Sequence, residues 1–179
     1  MVSLGFLFFF LVTLFAVIGA MRGWAKELLV TFSVILAIFI INVIERYVPR
    51  IADAFAQPGS VSQFWMRTII LLTLVFFGYQ TPNLPRLGGS GRFVRERFQD
   101  TLLGLFLGAL NGYLVVGTIW YFLHQANYPF PYITPPVAGT DLGDAALRML
   151  EWLPPRWLGP PIIYFAVALA FLFVIVVFL

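Results

Sequence analysis

The chain has 179 residues, of which 61% are apolar and only 11% charged, against roughly 25% charged in an ordinary soluble domain. A soluble domain of ~150 residues buries only about 70% of its extended surface, so this composition excludes a soluble fold, and it equally excludes intrinsic disorder. With no cysteine and a single histidine, disulfide frameworks, thiolate metal sites and multi-histidine metal sites within one chain are excluded as well.

The solvent this composition fits is a bilayer. Mean hydropathy is +0.93. Eleven Lys+Arg against eight Asp+Glu give a net charge of +3, read as loop charge that sets topology rather than as a nucleic-acid footprint. No nucleic-acid partner is expected.

Val2 to Met21 is an uncharged run of twenty residues, enough to cross ~30 Å of hydrocarbon. No basic residue precedes it, and Ile18 fits poorly at the −3 position of a cut after Ala20. A retained span is therefore expected rather than a cleaved signal peptide. A short polar break follows, Arg22-Gly23-Trp24-Ala25-Lys26-Glu27, closing a tight helical hairpin. Leu28 to Ile44 forms the second span, and Glu45, Arg46, Pro49, Arg50 and Asp53 mark its exit. Pro58-Gly59-Ser60 is a turn signal.

The third run, Ile69 to Tyr79, extends back to Phe64 or Trp65 and gives a span at about 65–80. It is short, and runs of this length sometimes only dip into the membrane; Arg67 near its start can snorkel to the interface. Gln80 to Asp100 is turn-rich and basic, with Arg86, Arg92, Arg95 and Arg97, and is read first as a solvated loop that orients the protein, with a short amphipathic helix at Arg92 to Phe98 as the alternative. The fourth span is Leu102 to Leu123. A Pro- and aromatic-rich loop occupies 126–161, and within it Asp141 to Leu153 reads as an amphipathic helix on the membrane surface, with Asp141 as N-cap and Trp152 and Trp157 as interfacial anchors. Ile162 to Leu179 is a last apolar run without charge. The expected fold is an all-α integral membrane protein of about five transmembrane helices, four if the third only dips, plus a surface amphipathic helix.

Six of the basic residues fall in the first and third loops and five in the second and fourth. With an uncharged N-terminal run, this bias places the N-terminus outside and the C-terminus in the cytoplasm.

Gly104, Gly108 and Gly112 stand four apart on one helix face. In lipid, helices associate by close packing through small residues, so this face is expected to meet another helix, in this chain or in a partner. Asn111 beside it is placed to hydrogen-bond across the contact. Gly19 and Gly23 form a second small-residue face. Every charged side chain falls at a span end or in a loop, which argues against a proton relay or a transporter. His124, at the end of the fourth span, is an interfacial anchor on the plainer reading and a single-histidine ligand to haem or a chlorin on the sharper one. There is no nucleophile elbow, HExxH pair, P-loop or dinucleotide fingerprint. No catalytic residue, metal or cofactor is expected, and the chain reads as no enzyme.

Gly19-Ala20-Met21-Arg22-Gly23-Trp24-Ala25-Lys26-Glu27-Leu28 resembles the G-x-x-R-G-x-x-[KR]-E-[LI] signature of the CvpA family, the colicin V production proteins. Asp100-Thr101-Leu102-Leu103-Gly104, followed by Gly108 and Gly112, is similar to that family's D-x-x-x-G-x-x-x-G-x-x-x-G pattern. Together the two matches tie residues 1–125 into one membrane domain. The chain lacks the acidic residue that family members often carry early in the first helix. The resemblance implies an inner-membrane protein linked to colicin V production, export or envelope biogenesis, and it transfers no catalytic residue. In the motif, the plainer reading is a positively charged hairpin that sets topology; on the sharper one Arg22 and Lys26 are placed to hold headgroup phosphates and Glu27 to pair with either or with a partner's basic residue, and Arg92, Arg95 and Arg97 are the other headgroup candidates. An alternative function is a structural subunit of a larger respiratory or photosynthetic membrane complex. Membrane lipid, and other transmembrane proteins or a second copy meeting the glycine face, are the expected partners.

Overall fold

The computed structural model describes residues 3–48, 61–80 and 93–178, the side chains of 93–96, 177 and 178 aside. Among these residues the chain is all helical: α1 (Leu4–Arg22), α2 (Trp24–Tyr47), α3 (Val61–Tyr79), α4 (Phe93–Gln125), α5 (Asp141–Leu150), α6 (Pro154–Trp157) and α7 (Ile162–Phe178). Four helices, α1 to α4, are long and apolar enough to cross a membrane, and α7 is a shorter apolar helix. The third run, the one expected to be able only to dip, reaches 19 residues because its helix starts at Val61. The signals at Pro49, Arg50, Asp53, 58–60, Arg86 and Arg92 lie outside the described residues.

α4 organises the bundle. At 33 residues it is about 50 Å long. It is helical from Phe93, where a solvated loop was the favoured expectation and a short amphipathic helix at 92–98 the alternative, and runs on without a break into the span expected at 102–123. No Pro or Gly separates the two segments, so nothing stops the helix between them. α1 packs antiparallel along α4, with Gly19 against Gly108 and Phe8 against Trp120. α2 runs parallel to α4, from Trp24 beside Asp100 to Glu45, which reaches Gln125 through Arg67. α3 returns antiparallel to α2, carrying Arg67 to Glu45 and Tyr79 to Arg22. α7 again opposes α2, placing Tyr164 on Phe39 and Phe173 on Phe32.

α2 is the inner helix, and Val30, Val34, Ala37, Ile38 and Ile41 on it are buried. By contrast α1 buries only Phe8 and Gly19. Its outer face presents Phe6, Phe9, Phe10 and Leu14, and α3 presents Trp65, Ile69, Leu72 and Phe76. Apolar faces of this extent mark contact with membrane or protein.

The surface helix differs from its expected bounds. The Thr140 hydroxyl caps it, accepting from the Gly143 amide at 3.1 Å, so Asp141 and Asp144 sit in the first turn instead of at the cap. The helix ends at Leu150 rather than Leu153. Pro154 and Pro155 follow, and the residue before a proline is driven to extended backbone, as Leu153 is at φ −68° and ψ 148°. The chain then restarts as α6, whose Pro154 packs over Gly117 of α4. Trp157 Nε1 donates to the Tyr113 hydroxyl at 3.0 Å, and that hydroxyl in turn donates to the Trp152 carbonyl. The strap is thus fastened to the side of α4.

Candidate functional site

The two sequence patterns, far apart in the chain, interlock where α1 ends and α2 begins. A single residue, Gly23, separates these helices, at φ 86° and ψ 158°. That backbone region is essentially restricted to glycine. A side chain there would also meet Asp100: a Cβ on Gly23 would lie 2.7 Å from its Oδ1. The Asp100 carboxylate accepts from the Trp24 amide at 3.1 Å. Gly23 offers α2 no side-chain cap, so Asp100 of α4 supplies one from a different helix, its negative charge facing the positive end of the α2 dipole.

The glycine faces close the same corner. A Cβ on Gly19 would lie 2.6 Å from Gly108 Cα, one on Gly104 would lie 3.1 Å from Gly23 Cα, and one on Gly112 would lie 2.9 Å from Val12 Cα. Gly104, Gly108 and Gly112 therefore face α1 of the same chain, and Gly19 and Gly23 are their counterparts. Contact this close lets backbones exchange dispersion attraction that lipid tails cannot match.

Behind the glycine contact lies a buried ion pair. Arg22 Nη1 stands 2.5 Å from Glu27 Oε1, and the Glu27 side chain is 0% exposed. Asn111 Nδ2 donates to the other carboxylate oxygen, Oε2, at 2.8 Å and to the Glu27 main-chain carbonyl at 2.9 Å. The Thr31 hydroxyl donates to Asn111 Oδ1 at 2.7 Å. Arg22 Nη2 donates to the Tyr79 carbonyl at 3.1 Å, and its guanidinium lies 4.3 Å from the centroid of the Tyr79 ring. Arg22 thus caps the last turn of α3, where the dipole favours a cation. Each charge is met by an opposite charge or a directed donor, which burial in low dielectric requires.

Glu27 thus pairs with Arg22, one of the two partners the sequence offered it, and does so buried inside the bundle. The helix resumes at Trp24, not at Leu28, so Glu27 falls one turn inside α2 and points at α4. Of its two candidate partners, Arg22 is the one that pairs. Lys26 is half-buried on a neighbouring face, and Arg97 is exposed on α4. Arg92 and the side chain of Arg95 lie outside the described residues. His124 is exposed at the end of α4, its ring edge-on to Tyr128 at 5.7 Å.

The opposite end of the bundle carries a second polar tie that the sequence did not single out. Arg67 Nε of α3 lies 2.5 Å from Glu45 Oε1 of α2, and Arg67 also donates to Gln125 of α4. Its guanidinium stands over the Phe122 ring at 5.3 Å. Thr31, Tyr79 and Asp100 were likewise without assigned roles. Asn111 was the available signal for the first cluster, as an amide in the middle of an apolar span needs a polar partner.

These groups can hold helices in register. Both Glu27 oxygens are engaged, so that carboxylate is not presented to a substrate.

A family model described as Colicin V production protein matches residues 4–140. The match runs past the 1–125 tied together by the two motifs and reaches the start of the strap. No curated protein and no solved structure matches the chain.

Proposed function

The chain belongs to the Colicin V production protein family, and from that premise we propose that it serves envelope biogenesis or secretion in the inner membrane as a non-catalytic helical scaffold. The observation that carries this reading is the Arg22–Glu27–Asn111 network, which spends the buried charge of the signature on fixing α1, α2, α3 and α4 together. A scaffold needs a rigid interior and a contact-ready exterior. The glycine face is occupied inside the chain, so lipid and partner proteins meet the outer faces of α1, α3 and α7 instead. On this reading the N-terminus is outside and the C-terminus cytoplasmic, from the six basic residues of the first and third loops against five in the second and fourth and from the uncharged first run.

The test is complementation of a deletion strain, read as uptake of a hydrophobic dye across the envelope. Loss of the chain raises uptake, and both the wild-type chain and Glu27→Gln restore the barrier. Glu27→Gln keeps the shape and one of the two hydrogen-bond acceptors but leaves Arg22 without its counter-ion, so rescue is scored per amount of folded protein in the membrane. A folded Glu27→Gln protein that fails to rescue means that the charge does chemistry, and the scaffold reading falls. An intact barrier in the deletion strain also overturns it.

A further inference from the structure

α3 and α7 both lean on α2 but leave a gap between themselves. It is a cavity of about 380 Å³, within the roughly 300–1,000 Å³ of small-ligand pockets. Leu29, Ser33 and Leu36 of α2 form its floor, Leu74 one wall, and Ala170 and Val174 the other. Ser33 is the polar side chain in the lining, and its hydroxyl donates to the Leu29 carbonyl at 2.9 Å. Water entering such a space finds too few polar partners to stay. Two further lining residues, Phe77 and Phe171, are 65% and 56% exposed, so the groove opens on the lipid-facing side of the bundle.

One end of the groove is charged. Lys26 precedes Leu29, Ser33 and Leu36 by three, seven and ten residues, which puts it on the same face of α2, one turn nearer the bundle end. The charged groups around it are committed: Arg22 to Glu27 and the Tyr79 carbonyl, Glu27 to Arg22 and Asn111, and Asp100 to the Trp24 amide. Lys26 is half-buried and has neither ion pair nor hydrogen bond among the described residues. An apolar slot of this size, open to lipid and ending at an ammonium that no described side chain neutralises, has the polarity of a phospholipid laid along it. We propose that this groove holds one acyl chain of an anionic phospholipid, with the lipid phosphate on Lys26.

The full chain in mild detergent, offered phosphatidylglycerol or phosphatidylcholine of identical chains, tests this by native mass spectrometry. One phosphatidylglycerol is retained about fivefold better, the advantage a single lysine supplies near a headgroup. Lys26→Ala removes the preference and Lys26→Arg keeps it. Ala170→Phe fills the slot and lowers retention of both lipids, with Val174→Phe as the second filling variant and a circular dichroism melt confirming that each is folded. Equal retention of the two lipids overturns the proposal, as does an unchanged preference in Lys26→Ala or full retention in the folded filling variants. Displacement of the lipid by inorganic phosphate alone overturns the part assigned to the acyl chain. Disulfide-linked dimers of Ala170→Cys in lipid-depleted detergent mean that a second copy occupies the groove, and they overturn it too.

Discussion

Arg22 shows how one side chain can serve three helices. It ends α1, neutralises Glu27 of α2 and caps α3 through the Tyr79 carbonyl. Removing one member of a buried pair strands the other's charge, at about 3–5 kcal/mol. Arg22→Ala is therefore expected to lower the Tm in detergent by about 6–20 °C. Replacing Arg22 and Glu27 together by leucine recovers most of that loss, because no charge is then left unpaired. A melt of Arg22→Ala indistinguishable from wild type, with the double variant no better, would sink this account. The sequence made Arg22 and Glu27 visible as a motif but not as a pair. Lys26 is adjacent to Glu27 in the chain and an equally good candidate by charge. Geometry chooses Arg22, since the bend at Gly23 turns it back across the start of α2 while Lys26 points along another face.

The glycine-lined contact between α1 and α4 is the closest packing between helices here, and its tolerance to one methyl group is position-specific. A Cβ on Gly108 would lie 2.9 Å from Gly19 Cα, whereas one on Gly5 of α1 meets nothing within 4 Å. Gly108→Ala is expected to destabilise by about 1–3 kcal/mol through overpacking. Gly5→Ala is expected to be neutral or to gain up to ~1 kcal/mol of helix propensity. Thermal melts should show a loss for Gly108→Ala and none for Gly5→Ala; equal shifts would show that the glycines act through propensity and not through contact. The ladder at 104, 108 and 112 was legible because helical spacing alone puts these positions on one face. Which helix it meets was not legible, since a glycine carries no side chain to identify its neighbour. At the strap, the amphipathic pattern of 141–153 was equally plain. Its early end follows from Pro154, and its attachment to Tyr113 depends on a contact between residues roughly 40 positions apart.

At the scale of the molecule, α1 and α3 run one way and α2 and α4 the other, with α7 opposing α2. The ends therefore sort into two sets, one holding Arg22, Lys26 and Asp100 and the other Glu45, Arg67 and Gln125. The chain has no cysteine, so single introduced thiols report sidedness cleanly. In intact cells, Thr140→Cys is expected to react with a membrane-impermeant maleimide, and Ser90→Cys only after the cells are opened; the reverse pattern would invert the orientation. Composition and run length by themselves determined the solvent, the helical class and the approximate positions of the spans, because apolar side chains and backbone polar groups in lipid leave few other solutions. The two motifs, by their order and spacing, pointed to the family. Only the tertiary structure decided that the motifs meet, that Glu27 lies inside the bundle and that the glycine face is filled by the chain's own first helix. Those outcomes depend on how helices cross, and crossing is set by contacts between residues some 80 positions apart, such as Thr31 and Asn111. The low charge count with which the chain began is thus divided: part of it lies at helix ends and in loops, and part is paired within the bundle to hold four helices in register.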